Sequence, residues 1–467
     1  MNSIFKKTIS FILIAVFVIG CSSNISALTA DKEWEDYYNS YMTDGKSVLM
    51  SPGSNETQRN FSWYSSKNSG KCYVAVSKNS DMSNSVKYSG THISTPNGDR
   101  TNKVTVSNLE AGTTYYYQCI TNDGVSPVES FNTITSSSFT AMYVTDIHVS
   151  RDDDIEKPLV NQSYTFSKVV EKANDTKKLD LIVSAGDQAT KGSRVEYMSL
   201  FASPLLRSIP FAPAVGNHDR KGSAYKYFTN NPNRYTKGLS SYIGNDYWYV
   251  KGDVLFMVFD SNCTAATTHR KFIKSAIKAN PNVKWRVGVM HHDLYGRLSD
   301  SRLEDDMKNR RPTFVPLFDE FKFDLVLLGH SHYYSMSHVL YNGEVTQSLT
   351  DKDSVTDANG TIYMVSGSVN HPRYSPETPL TEQAAYGYST EALIYNLLDF
   401  SEDSIKINSY TIDSDSPFHS FTINKTSNEG GHQKYNMPFF AFIIRSALQF
   451  IAVFEEFGIM VKAIFNS

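Results

Sequence analysis

Five apolar runs in this chain stop abruptly on a carboxylate, an amide or an imidazole. Phe139 to Thr145 runs into Asp146-Ile147-His148, Leu179 to Ser184 into Gly186-Asp187, and Ile209 to Ala214 into Gly216-Asn217-His218-Asp219. Trp285 to Met290 runs into His291-His292-Asp293, and Asp324 to Leu328 into Gly329-His330-Ser331-His332. A short continuous apolar run reads as a strand buried on both faces. In an open α/β sheet, ligands bind where the carboxyl ends of such strands emerge. Helical periods lie between the runs, at Phe166-x-x-Val169-Val170-x-x-Ala173 and Phe272-Ile273-x-x-Ala276-Ile277. The alternation predicts a layered α/β domain.

Each polar terminus has an ordinary explanation taken singly. Asp and Asn cap helices, and His is often a satisfied polar residue. Five in one register, with Asp-x-His and His-x-His among them, point instead to a metal site whose donors suit Zn, Fe or Mn. Glycines 186, 216 and 329 let the backbone turn tightly and approach a bound group closely.

The ordered set Asp146-x-His148, Gly186-Asp187, Gly216-Asn217-His218-Asp219, His291 and Gly329-His330-x-His332 resembles the calcineurin-like metallophosphoesterases. More narrowly it resembles the branch that includes the purple acid phosphatases, which carry a small β-sandwich ahead of the catalytic domain. The likeness covers about residues 45 to 425. It implies a four-layer αββα sandwich and a two-metal site. Asp146, His148, Asp187 and His332 hold the first metal in that reading. Asp187 bridges to the second, which also takes Asn217, His291 and His330. His218 matches the family's catalytic imidazole beside the leaving group, with Asp219 expected to orient it. His292 and Asp293 are expected one layer beyond the ligands, or against substrate. Two metals about 3.5–4 Å apart polarise a phosphoryl group and acidify a water. The implied reaction is in-line attack of metal-activated hydroxide on a phosphate ester, with no covalent phospho-enzyme. Purple acid phosphatases place an iron-binding tyrosine three residues after the second-motif aspartate. Here that position is Thr190, so the iron–tyrosinate colour is not expected.

The formal charge of −3 gives no electrostatic case for nucleic acid as a partner. Residues 1–30 read as an export leader: Lys6 and Lys7 open it, and Ile9 to Gly20 is apolar but too short for a standard membrane span. Val18-Ile19-Gly20-Cys21 resembles a bacterial lipobox, which would make Cys21 the lipidated first residue of a cell-surface lipoprotein. Cleavage without lipid, releasing a secreted protein, is the competing reading. Residues 31–46, acidic and aromatic through Trp34, Tyr37, Tyr38 and Tyr41, are taken as a packed linker rather than a tether.

From 47 to 135, short β-rich runs between turn residues predict an all-β sandwich of seven or so strands. Asn108 to Tyr115 resembles a fibronectin type III turn. Cys72 and Cys119 fall within it, either as a disulfide or as two buried thiols; Cys263 reads as packing. The catalytic domain is assigned to 138–425, with Tyr247 to Asp260 as a hairpin leading into a core strand. Residues 220–246, with Tyr225, Tyr227, Tyr235 and Tyr242, are a candidate pocket rim or a structural loop. Arg151, Arg297 and Arg302 are candidate phosphate clamps, with solvated charge runs the plainer reading. Gly367 to His371 ends a further strand near the same edge, outside the ligand set. A linker at 426–436 precedes an apolar, amphipathic helix at 437–467. That helix suits a membrane surface or partner, or docking on its own domain.

The expected function is an exported dinuclear phosphoesterase acting on a small phosphate ester, a phosphomonoesterase first. The alternatives are a phosphodiesterase or nucleotidase on the same core, and a surface binding protein with a degenerate phosphoesterase domain.

Overall fold

The computed structural model describes residues 28–44, 47–150, 158–237, 245–296, 301–370, 372, 380–428 and 431. The expectations for Cys21 and the leader, Arg151, Tyr242, Arg297, the Arg302 side chain, His371 and the 437–467 helix lie outside what is described. Among the described residues, no helix is long and apolar enough to cross a membrane.

Helices are α1 (Lys32–Asp44), α2 (Leu159–Thr176), α3 (Arg194–Leu200), α4 (Ala224–Phe228), α5 (Ala266–Ala279) and α6 (Ser301–Glu320). Two seven-stranded sheets form the centre of the catalytic domain. The first runs Phe211–Pro213, Leu181–Ser184, Phe139–Val144, Ile394–Phe400, Ser404–Thr411, His419–Asn424, Ser354–Thr356. The second runs Tyr247–Lys251, Val254–Val258, Trp285–Val289, Leu325–Leu328, Ile362–Val365, Tyr334–Ser337, Ala384–Tyr388.

The apolar runs are buried on both faces because successive side chains point to opposite sides of a strand. Val254, Phe256 and Val258 meet Ala141 and Tyr143 between the sheets. Their neighbours Leu255, Met257 and Phe259 instead pack with Phe272 and Ile273 of α5 and Phe314 and Phe318 of α6. On the other side, Met142 and Val144 lie under Phe166, Val169 and Val170 of α2. Each such fully buried side chain contributes about 1.5–3 kcal/mol. Helix, sheet, sheet, helix is the expected four-layer order. The expected hairpin forms too, Tyr247–Lys251 pairing antiparallel with Val254–Val258.

Direction matters more than layering for the site. Phe139–Val144, Leu181–Ser184 and Phe211–Pro213 are mutually parallel. So are Val254–Val258, Trp285–Val289, Leu325–Leu328 and Ile362–Val365. All five ligand-bearing runs therefore release their carboxyl ends at one edge.

Ahead of this domain stands a two-sheet sandwich. Val48–Pro52, Arg59–Ser65, Arg100–Val106 and Thr91–Ser94 make one sheet. Val86–Ser89, Tyr73–Ser77, Thr114–Thr121, Gly124–Val125 and Glu129–Asn132 make the other. Phe61, Trp63, Val74, Val104 and Tyr117 fill the space between them. The Tyr115 hydroxyl accepts a hydrogen bond from Glu110 N at 2.9 Å, tying the turn to the strand that follows it. Cys72 and Cys119 are free buried thiols, and burial pushes both up from their ordinary pKa.

The sandwich is fastened to the catalytic domain by polar contacts. Asn60 Nδ2 donates to Asn230 O at 2.7 Å, and Asn230 Nδ2 donates back to Phe61 O and Val104 O, each at 3.2 Å. Glu56 joins Arg59 of the sandwich (2.9 Å) to Lys251 of the catalytic hairpin (2.8 Å). The segment before the sandwich is the helix α1, which docks on the catalytic domain through its tyrosines. Tyr37 Oη donates to Ala202 O at 2.6 Å and Tyr41 Oη to Phe201 O at 2.9 Å.

Candidate metal centre

The loops at the common edge are knitted by backbone bonds before any ligand atom is considered. Asp146 N donates to Gly186 O (3.0 Å), His148 N to Asp187 O (2.9 Å) and Gly329 N to His291 O (2.8 Å). Five of the seven expected ligands sit in left-handed backbone: Asp146 (φ 50°), His148 (49°), Asp187 (52°), His330 (75°) and His332 (64°). Non-glycine residues adopt that conformation at a cost of order 1–3 kcal/mol each. Here it turns the side chains back over the strand ends. Space is reserved by glycine: a Cβ on Gly216 would lie 2.0 Å from Asp187 Oδ1, and one on Gly329 2.7 Å from Asp146 Oδ2.

The side chains converge as two adjoining groups. In the first, His148 Nε2 and His332 Nε2 face each other at 3.1 Å. Asp146 Oδ1 stands 3.2 Å from His332 Nε2 and 3.6 Å from His148 Nε2. In the second, His291 Nε2 lies 3.0 Å from Asn217 Oδ1 and 3.3 Å from His330 Nδ1. Asp187 Oδ2 stands between them, 3.6 Å from His148 Nε2 and 3.2 Å from His291 Nε2. All seven expected ligands are thus brought together, with Asp187 in the bridging place.

The donor set fits cations. Asp146 Oδ1 is buried and accepts no hydrogen bond, although Asp146 Oδ2 receives His330 N and Thr145 Oγ1, each at 2.8 Å. Burial alone would raise the Asp146 carboxyl; the His332, His148 and His291 imidazoles together outweigh burial and hold it well below the usual range. Burial likewise opposes charge on His291, yet Asp187 prevails and raises that imidazole to about 9. His291 Nδ1 lies 3.0 Å from Ala185 O, which fixes the proton there and leaves Nε2 as the coordinating atom.

One expectation changes. Asp219 does not orient His218. Its Oδ2 accepts Asp187 N (2.9 Å) and Gly216 N (2.8 Å), and its Oδ1 accepts Tyr197 Oη (2.7 Å) and Ala189 N (3.2 Å). Burial, then the charge of Asp187, raises Asp219 to about 7. His218 is held instead through Nδ1, 2.9 Å from Thr190 O, and through its own N–H on Asp187 Oδ1 at 2.8 Å. Burial lowers His218 to about 4 despite Asp187. Its ring borders the first group, within 4.8 Å of the His148 and Asp187 donor atoms.

The His292 ring packs 4.6 Å from that of His330, with Nδ1 2.7 Å from Ser261 Oγ and Nε2 accepting Arg310 Nη2 at 2.9 Å, so neither nitrogen is left for a metal. It lies one layer beyond the ligands, one of its two expected places. Asp293 Oδ1 accepts Tyr295 N (3.0 Å) and Gly296 N (2.9 Å), so it shapes its own loop. In the candidate rim, Tyr225 and Tyr227 are buried, and Tyr225 Oη donates to Pro213 O at 2.8 Å. Those two belong to the core. Ser368 Oγ and Asn370 Nδ2 support the first loop, donating to Asp146 O (2.6 Å) and Ile147 O (2.7 Å).

Sequence reasoning missed three groups: the Thr190 carbonyl, Lys221, and Asp306 on α6, whose Oδ2 is 3.0 Å from His330 Nε2. A backbone carbonyl leaves no mark on a sequence. The two side chains sit in ordinary charged stretches.

Comparison with known proteins agrees with this geometry. Residues 139–334 match the calcineurin-like phosphoesterase family, and residues 46–133 match the purple acid phosphatase N-terminal domain. The fold is similar to a purple acid phosphatase from yellow lupin seeds (Lupinus luteus), with a TM-score of 0.64 at 14% identity, over 81% of this chain and 75% of that one. It is also similar to PhoD, with a TM-score of 0.56 at 12% identity, over 82% and 90%. An uncharacterized protein of Mycobacterium tuberculosis is 29% identical over 96 residues, 19% of this chain and 18% of that one. A probable inactive purple acid phosphatase of Arabidopsis thaliana is 25% identical over 222 residues, 41% of this chain and 35% of the other. These matches span well under half the length of the curated relatives. The chain therefore carries a calcineurin-like phosphoesterase domain behind a purple acid phosphatase N-terminal domain.

Proposed function

We propose that the protein is an exported, metal-dependent phosphoesterase that hydrolyses phosphate monoesters. The observation that carries monoester preference is Lys221. Its exposed ammonium lies 2.9 Å from His218 Nδ1, and Thr190 O lies at the same distance from that atom. One ring nitrogen cannot both donate to a carbonyl and accept from an ammonium. The carbonyl is fixed, since Thr190 N is bonded to Val149 O at 3.0 Å; the lysine is a long exposed side chain. Nδ1–H therefore belongs to Thr190, and Lys221 is left as an exposed cation beside the ring, 3.5 Å from His218 Nε2. A cation there holds the second negative charge of a monoester, which a diester lacks.

Asp146, His148, Asp187 and His332 would hold one ion, and Asp187, Asn217, His291 and His330 the other. Bound there, such a pair supplies Lewis acidity and an acidified water. The chain's own residues do the rest. Asp187 keeps the two groups in register through Oδ2, while Oδ1 fixes the backbone of His218. Thr190 O holds His218 Nδ1–H, so Nε2 is the atom that carries a proton to a leaving oxygen. With His218 lowered to about 4, that proton arrives when substrate dianion supplies the counter-charge.

The plant relative is named inactive, but in this chain every ligand position keeps a competent donor, which favours an active enzyme over a binding protein. Export rests on residues 1–30, and lipid attachment on Cys21; the mass of the mature N-terminus tests both. The activity test compares p-nitrophenyl phosphate with its bis ester, using wild type and Lys221→Met. The monoester should be preferred, and the variant should raise its KM about tenfold while sparing the diester. Diester preference in wild type would move the reading to a phosphodiesterase. No turnover after Mn, Zn or Fe loading would move it to a binding protein.

A further inference from the structure

His330 differs from the other imidazoles of the centre in which nitrogen it presents. His148, His291 and His332 offer Nε2, whereas His330 turns Nδ1 toward His291 Nε2 at 3.3 Å. A ring that coordinates through Nδ1 must carry its hydrogen on Nε2, and that hydrogen needs an acceptor. The acceptor is Asp306, with Oδ2 3.0 Å from His330 Nε2. His330 is nearly buried, its side chain 5% exposed, while that of Asp306 is 26% exposed.

Asp306 is itself held. Arg310, one turn further along α6, donates Nη1 to Asp306 Oδ1 at 2.9 Å. The same guanidinium donates Nε to Ser261 O (3.1 Å) and Nη2 to His292 Nε2 (2.9 Å). His292 is anchored in turn by Ser261 Oγ at 2.7 Å. The connected groups come from α6, from the end of the Val254–Val258 strand and from the end of the Trp285–Val289 strand. An i, i+4 carboxylate–guanidinium pair on a helix surface is ordinarily worth little. Here each member has a second partner that leads inward, to a ligand on one side and to the loop behind the ligands on the other.

We infer that Asp306 is a positioning residue for the second metal: it holds His330 in the Nε2–H tautomer, so that Nδ1 is the coordinating atom, with Arg310 keeping the carboxylate in place. The inference rests on the two-metal reading of the centre. It makes the second ion depend on a helix that contributes no ligand, while the first ion, held by Asp146, His148, Asp187 and His332, is indifferent to it.

The test is metal stoichiometry and affinity, independent of turnover. Full-length protein is stripped with chelator and titrated with Mn2+, as wild type, Asp306→Ala, Asp306→Asn and Arg310→Met. Paramagnetic resonance distinguishes a coupled ion pair from an isolated ion. Wild type should bind two ions with a coupled signal. Asp306→Ala should bind the first normally and the second about 10–100-fold more weakly, leaving an isolated-ion signal at intermediate metal. Asp306→Asn keeps an acceptor and should recover part of the loss; Arg310→Met should show a smaller defect of the same kind. Two ions bound to Asp306→Ala with wild-type affinity would overturn the inference. So would loss of both ions together with a lowered melting temperature of the metal-free protein, which would make Asp306 a support of the fold. A wild type that binds fewer than two ions would overturn the dinuclear reading first, and this inference with it.

Discussion

The carbonyl oxygen of Thr190 lies 2.9 Å from Nδ1 of His218, in the place where a carboxylate partner was expected. The carboxylate in question, Asp219, has both oxygens engaged by backbone N–H groups and Tyr197. A neutral carbonyl fixes the tautomer and favours the imidazolium, though without the full charge a carboxylate would bring. His218→Ala should therefore leave two metals bound and lower kcat roughly 10²–10⁴-fold. The loss should be largest for alkyl phosphates, whose leaving groups need a proton most. Elemental analysis alongside rates for phenyl and alkyl phosphates checks this. A collapse of metal content would make His218 a ligand instead.

Asp219→Ala should behave differently. Its Oδ2 pins Asp187 and Gly216 at once and its Oδ1 takes Ala189, so removal unpairs three buried N–H groups beside the bridge at about 1–3 kcal/mol each. We expect a lowered melting temperature, weaker binding of both ions, and a rate loss indifferent to the leaving group. Equal melting curves for variant and wild type would refute the pinning role.

Iron-loaded protein should be colourless in the visible. Thr190 stands where a tyrosinate would ligate, and its Oγ1 reaches only 3.4 Å from His148 Nδ1. An intense visible band after iron loading would show that another tyrosine enters the centre.

Glu56 should govern acid stability. Burial raises it, but Arg59 and Lys251 outweigh burial and lower it from 4.5 to about 2. A depressed carboxyl stabilises the fold above its unfolded pKa, and that contribution fades as pH falls from about 4.5 toward 2. The shift corresponds to about 3 kcal/mol. Glu56→Gln should therefore lower the melting temperature at pH 7, with the gap closing in acid.

His269 should give the opposite sign. Burial disfavours its charge, yet Asp246, 2.7 Å from Nδ1, raises the ring well above 6.5. Its contribution is complete below pH 6.5 and is lost as pH rises through the folded value. In His269→Gln the deficit in melting temperature should be widest in mild acid and should narrow in alkali. A pH-independent deficit would mean packing alone.

The strands and their ligands were legible because burial on both faces forces continuous apolar runs, and a polar residue ending such a run is conspicuous. Asp146, Asp187 and His330 stand out for that reason. What the sequence hid follows equally from geometry. His291 and His292 are adjacent and their rings lie 5.2 Å apart, yet only the first offers a nitrogen to the centre, because Ser261 and Arg310 take both nitrogens of the second. Asp219 begins a short 3-10 turn, Asp219–Lys221, that carries its carboxylate back beneath the loop instead of alongside His218. Asp306 lies within Glu-Asp-Asp-Met-Lys-Asn-Arg, a stretch ordinary for a surface helix. Only tertiary packing reveals that one face of it touches a histidine.

The docking of α1 has a consequence for the order in which the chain is made. Leu28 N bonds Thr165 Oγ1 at 2.7 Å, a partner synthesised 137 residues later. The sandwich in between has its own core and its own sheets, so it can form as soon as it leaves the ribosome. Throughout that interval the aromatic face of Trp34, Tyr37, Tyr38 and Tyr41 waits uncovered. α1 can close over α2 and α3 once the chain has reached about Ala202, before α5 and α6 exist, and so latches the first half of the catalytic domain ahead of the second.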